Sequence, residues 1–232
     1  MRVAQQLYEG IDLKGHGHVG LITYMRTDST NMSPKFLGEA NTFVKSEYGT
    51  KYALEKPRVY RSTAKGAQEA HEAIRPTDVT LTPQLLQDKL TPQQYKLYSL
   101  IWRRALATQI AAAQLNAEAI DIAAKKYTFR ATGQLITFDG WLKLYPKKVK
   151  ENALPKLKEG QEIDCKKLRP EQHFTEPPAR YSDATLVKIL EELGIGRPST
   201  YAPTIHTVEA RGYVERDDNK RLFPTDIAMV VN

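Results

Sequence analysis

The sequence predicts a multidomain α+β protein, and three observations carry that prediction. Apolar residues recur at helical spacing between marked caps up to about residue 110. Strict alternation then replaces that spacing, and the residues after Pro178 spell helix, turn, helix and hairpin. The expected organisation is a helical domain over 1–110, a β-rich segment over 111–178 and a winged-helix-like unit over 179–232.

The opening stretch "MRVAQQLYEG" puts Val3, Ala4 and Leu7 on one helical face and stops at Gly10. A glycine and histidine loop, "KGHGH", leads into "GLITYMRTDSTN". There Gly20 to Thr23 form a short buried strand and Tyr24 stands where it gives way to polar loop. Ser33 and Pro34 then open a helix whose stripe is Phe36, Leu37, Ala40, Phe43, Val44 and Tyr48, closed by Gly49. After a basic, irregular stretch, "QEAHEAIRP" reads as a short helix ended by Pro76. Thr91, Pro92 and Gln94 make a capping box ahead of a helix with Leu97, Ile101 and Ala105 along one face.

In the next segment Ile120, Ile122 and Ala124, then Tyr127, Phe129 and Ala131, alternate as strands of a meander. Lys125, Lys126 and Gly133 are taken as its turns. A lysine-rich connection adds a strand around Ile163 and ends at Pro177 and Pro178. Ser182 caps a helix with Leu186, Ile189, Leu190 and Leu193, and "GIGRPS" turns the chain. Thr200 or Ser199 caps a second helix with Ile205 and Val208, and "YVERDDNKRLF" folds about Asp217 to Asn219. The opening straight into helical text at Met1 and the closing "PTDIAMVVN" suggest an excised piece.

With 34 Lys and Arg against 27 Asp and Glu, a net charge of +7 suits an anionic partner. One cysteine, Cys165, excludes a disulfide framework or cysteine-based zinc site within one chain, and it fits a reducing cytoplasm. No apolar run is long enough to span a membrane.

Three groups carry chemistry. In an extended backbone Tyr24 and Arg26 project to one side, so a guanidinium fork can hold the phosphate that a phenolate attacks; structural strands also carry such pairs. Asp28 is a turn former that can also orient Arg26. His71, between Glu69 and Glu72, is either a helix-surface histidine or a second phosphate ligand whose charge a neighbouring carboxylate supports. His16, His18 and His71 lack metal-ligand spacing. Arg197, with Ser199 and Thr200 at a helix start, makes a cradle for a backbone phosphate or simply an ordinary helix start.

Taken together and in this order, "GLITYMRTDSTN", "QEAHEAIRPTD", "FDGW" and "PPARYSDATLVKILEELGIGRPSTYAPTI" closely resemble the type IA DNA topoisomerases of the bacterial topoisomerase I group, over nearly the whole chain. The resemblance implies that Tyr24 forms a covalent 5′-phosphotyrosine link with single-stranded DNA, that Arg26 and His71 assist at the phosphate, and that Arg197, Ser199 and Thr200 contact the incoming strand. It implies a helical tyrosine-bearing domain, an arch and a clamp base. It further implies single-stranded and negatively supercoiled DNA as the substrate and a monomeric enzyme in the cytoplasm at the nucleoid. The resemblance also implies that Mg2+ is held in an acidic Toprim domain that these motifs do not include, so the chain alone is expected to be inactive and to bind no metal. The competing expectation is a non-catalytic nucleic-acid-binding module built on the segment after Pro178.

Overall fold

In the computed structural model, which describes residues 2–13, 15, 17–27, 29–60, 71–147 and 149–231, helix α1 (Arg2–Glu9) ends at Gly10, whose φ of 125° suits glycine alone. The glycine and histidine loop is a hairpin, β1 (Ile11–Leu13) against β2 (Gly17–Val19), a pairing that local composition hides. His18 sits in β2 with Nδ1 2.9 Å from the Asp12 carboxylate, which raises its pKa; His16 lies outside the described residues. The predicted second helix is α2 (Pro34–Tyr48), where the Ser33 hydroxyl accepts from the Phe36 amide, and Phe36, Leu37, Ala40 and Val44 are buried.

A one-turn helix, α3 (Pro83–Leu86), capped by Thr82, precedes α4 (Pro92–Ala107), whose Thr91–Gln94 capping box is present as expected. The buried face of α4 centres on Tyr98, Trp102 and Ala105 rather than on Leu97 and Ile101, which lie at its margin. The two aromatics can go inside because their polar tips are satisfied. Tyr98 Oη donates to the Leu81 carbonyl at 2.6 Å and Trp102 Nε1 to the Val79 carbonyl at 3.0 Å. Burial pushes the Tyr98 phenol well above its ordinary pKa. These side chains join Leu7, Leu21, Ile22, Phe36, Val44, Leu86 and Ile110 in one core.

The alternating stretch is a single ribbon, β3 (Gln114–Ala124) antiparallel to β4 (Tyr127–Phe138), closed by Lys125 in the left-handed region and Lys126. Gly133 is not a turn. It lies inside β4, where a Cβ would stand 2.6 Å from the Asn152 carbonyl oxygen, because residue 152 bridges to Gln134 there. Arg130 binds Asp121 across the ribbon through two hydrogen bonds of 2.6 and 2.7 Å. The ribbon leaves the helical core through a narrow neck. Tyr52 Oη donates to Asp139 at 2.6 Å, Tyr52 O accepts from Ala111 N, and Gly140, at φ 50°, packs against the Ala111 carbonyl. No strand forms around Ile163, which is exposed among charged neighbours and pairs with nothing among the described residues.

The described chain divides into two compact units between Gln161 and Glu162. In the second, α5 (Asp183–Glu192) carries a Ser182 cap, and α6 (Pro198–Ala210) follows a glycine turn. The hairpin β5 (Val214–Arg216) with β6 (Leu222–Pro224) folds about Asp217, whose carboxylate accepts from the amides of Asn219 and Arg221. A final helix, α7 (Asp226–Val231), ends the described chain. One side chain fastens the unit: Arg216 holds Asp183 of α5 at 3.0 and 3.1 Å and Glu209 of α6 at 2.7 and 2.9 Å. The molecule is thus α+β, with seven helices and three two-stranded antiparallel sheets among its described residues.

Two outcomes follow. A Cβ at position 20 would lie 2.6 Å from the Tyr8 carbonyl oxygen, so Gly20→Ala should lower unfolding stability by about 1–3 kcal/mol in a urea titration. Hydrogen bonding from Arg216 holds the Glu209 carboxyl below the usual carboxylate range. Its contribution is therefore complete above the unfolded-state pKa and lost as pH falls through the lower folded-state value. Glu209→Gln should flatten the acid limb of melting temperature against pH, and an unchanged limb would assign that limb to other groups.

Candidate active site

Two segments far apart in sequence build this site by lying side by side. Residues 71–76 are extended rather than helical, and residues 20–23 make an isolated bridge rather than the expected strand: Ile22 bridges antiparallel to Pro76, and Thr77 N donates to the Leu21 carbonyl at 3.1 Å. Pairing with residues 20–23 satisfies the backbone groups that a local helix would have satisfied, and Pro76 is compatible with the extended form. Thr23 is the central stitch. Its amide donates to the Arg75 carbonyl at 2.9 Å, its hydroxyl donates to the Ala73 carbonyl at 2.7 Å, and that hydroxyl oxygen accepts from the Arg75 amide at 3.0 Å. Ala73 N also donates to the Asn31 carbonyl at 2.7 Å.

This pairing brings Tyr24, Arg26 and His71 together. The rings of Tyr24 and His71 are 6.0 Å apart between centroids, tilted by 30°, and Arg26 Nη1 lies 3.5 Å from His71 Nε2. A guanidinium has only donors, so this long contact uses the Nε2 lone pair of the imidazole. Arg26 N donates to the Tyr24 carbonyl at 2.9 Å, which tightens the chain between the two side chains. Tyr24 is 47% exposed, so its phenol faces solvent from a rigid base: Leu21 and Ile22 just before it are fully buried.

The carboxylate neighbour expected for His71 is otherwise engaged. Glu72 binds Arg75 in a close ion pair, with Arg75 Nε donating at 2.6 Å. Arg75 is only 9% exposed; it lies over the Phe36 ring at 4.6 Å and reaches Ser33 Oγ at 3.3 Å, pinning the His71 segment to the start of α2. Glu69 and Asp28 lie outside the described residues. Tyr8 was invisible to motif reading, yet its ring meets that of Tyr24 at 5.3 Å and 63°. They are neighbours because the end of α1 packs on residues 20 and 21, where Leu21 N donates to the Leu7 carbonyl, and no spacing rule encodes that.

Arg197, Ser199 and Thr200 belong to the second unit, exposed at the start of α6. Arg197, not Ser199 or Thr200, is the cap residue, because Pro198 takes the first helical position. Thr200 Oγ1 accepts from the Arg197 amide at 2.9 Å. Among the described residues no three His, Cys, Asp or Glu side chains converge to hold a metal ion. No helix among them is long and apolar enough to cross a membrane.

Comparison with known proteins matches this architecture over its whole length. The family model described as DNA topoisomerase covers residues 1–232. Full-length topoisomerase I from Thermotoga maritima superposes with a TM-score of 0.82 at 38% identity, over 100% of this chain. The chain spans 37% of the length of that structure.

Removing the central stitch tests this geometry. Thr23→Val leaves the Arg75 amide and the Ala73 carbonyl without their partner and should cost about 1–3 kcal/mol. Amide exchange at Arg75 should accelerate in parallel, and unchanged protection there would show that the two segments are held by something else.

Proposed function

The chain belongs to the DNA topoisomerase family, and from that premise we propose that it carries the nucleophile half of a type IA active site. Tyr24 Oη attacks a phosphorus of single-stranded DNA. An O–P bond forms to tyrosine as the bond from phosphorus to the 3′ oxygen breaks; the phenol gives up a proton and the departing oxygen gains one. The 5′ phosphate stays on Tyr24 and the other strand end is a free 3′-hydroxyl, which reverses the step on religation. Arg26 holds two phosphate oxygens with its planar fork and offsets the charge that develops on them. His71 supplies a further donor to the phosphate once Arg26 turns from it to the DNA. The observation that supports this most directly is the convergence of Tyr24, Arg26 and His71 at a solvent-facing point on a buried base.

Arg197, Ser199 and Thr200 take a strand phosphate at the start of α6, where the helix dipole and exposed amides favour an anion. In the whole enzyme the reaction relaxes negatively supercoiled DNA in the cytoplasm, by a monomer, with residues 1–110 as the tyrosine-bearing domain, 111–178 as part of the arch and 179–232 as a clamp element. A Toprim domain would hold Mg2+, which would supply positive charge to the reaction, while Tyr24, Arg26 and His71 act through their own atoms. The 232-residue chain by itself binds single strands but does not relax DNA.

The test is a denaturation-resistant DNA adduct in the protein at its full natural length. Tyr24→Phe should abolish it, since only the attacking oxygen is gone. Arg26→Lys keeps charge but loses the fork, so cleavage should fall by about tenfold or more while oligonucleotide affinity barely moves. An adduct in Tyr24→Phe, or equal cleavage by the Arg26 variant, would remove these residues from the chemical step. Affinity of the chain for single strands should also drop steeply with salt.

A further inference from the structure

We propose that Tyr8 is a positioning residue for the Tyr24 nucleophile; the proposal rests on the phosphotyrosine reading of Tyr24. A half-exposed tyrosine in irregular backbone has several staggered side-chain wells open to it, and in-line attack on a phosphate needs the phenol in one of them. Burial does not choose that well, because Tyr24 is 47% exposed. Its neighbours do. His71 lies against it with centroids 6.0 Å apart, and Tyr8 meets it at 5.3 Å and 63°, within the edge-to-face range in which aromatic rings attract.

The two neighbours differ in what else they do. Arg26 is in contact with His71, so the imidazole belongs to the polar group that turns to phosphate, whereas Tyr8 offers a ring. Tyr8 is also placed by the extended segment that leads to the nucleophile. Leu7 beside it is fully buried and its carbonyl accepts from the Leu21 amide at 2.7 Å. The Tyr8 carbonyl itself occupies the space that a side chain at Gly20 would need. Thus α1 is locked in register to residues 20 and 21, and the Tyr8 ring is delivered to the Tyr24 ring with little slack. Because Tyr8 is 40% exposed, removing its ring takes little from the core, so an effect on chemistry can be separated from an effect on folding.

Single-turnover cleavage of a single-stranded oligonucleotide in Mg2+ should be measured on the full-length protein for wild type, Tyr24→Phe, Tyr8→Leu and Tyr8→Phe. Melting temperature and oligonucleotide affinity are measured beside it. Tyr8→Leu should cut the cleavage rate about five- to tenfold with affinity unchanged, and Tyr8→Phe should restore most of the rate, since it keeps the ring. Should leucine lower the melting temperature, Tyr8→Met, which keeps bulk and helix propensity, should show the same loss. Tyr24-dependent adducts formed as fast by Tyr8→Leu or Tyr8→Met as by wild type overturn the positioning role alone, as does a loss in Tyr8→Phe equal to that in Tyr8→Leu. An adduct that persists in Tyr24→Phe overturns the reading beneath it as well.

Discussion

The candidate site depends on the pairing of residues 20–23 with 73–77, and within that pairing on Thr23. Three hydrogen bonds pass through this one residue to a segment some fifty positions on. Without them, a tyrosine with an arginine two residues later is an ordinary strand end. With them, a histidine from elsewhere in the chain is set beside the phenol. Arg75 and Glu72 reinforce the same junction from below, where a buried arginine needs partners for its donors, and Glu72, the Pro76 carbonyl and Ser33 receive its three nitrogens beside the Phe36 face.

Sequence legibility follows the range of the interaction that makes each feature. Helices α2, α4 and α5 were readable because Ser33, Thr91 and Ser182 announce their starts within three residues. The β1–β2 hairpin was not, since glycines and histidines signal a loop until one sees which backbones pair. "QEAHEAIRP" has helical spacing, yet its described part is extended, because tertiary pairing with residues 20–23 outweighs a weak local preference. The aromatic stripe of α4 was underestimated because Tyr98 and Trp102 bury only where distant carbonyls receive their polar ends. In the site, Tyr24, Arg26 and His71 could be named from residue type and resemblance, whereas Tyr8, Thr23 and Arg75 act through contacts that no motif records.

Charge is distributed by a similar division. A net charge of +7 overstates the uniformity of the cationic surface, since Arg75, Arg130 and Arg216 are each committed to carboxylates. Their planar forks suit fixed partners, so they act as internal fasteners. Residues such as Lys150, Lys156, Lys158 and Lys167 instead stand exposed on the irregular stretch between the ribbon and α5, where flexible, strongly hydrated ammonium groups favour non-specific contact with an anionic polymer.

The neck at Tyr52, Asp139 and Gly140 gives the ribbon a mechanical character. Strands of 11 and 12 residues extend about 40 Å, and they are fastened at one end by a few short bonds with no room for another atom between Gly140 and Ala111. Between root and tip, residues 150–152 bond to β4 at Gln134 and Ile136, so the stretch nearer the neck is backed by a third segment and only the distal stretch towards Lys125 is two strands wide. The ribbon is thus built as a tapered cantilever, with three chain segments side by side near the clamp and two at the tip, and its most compliant end is the turn at Lys125.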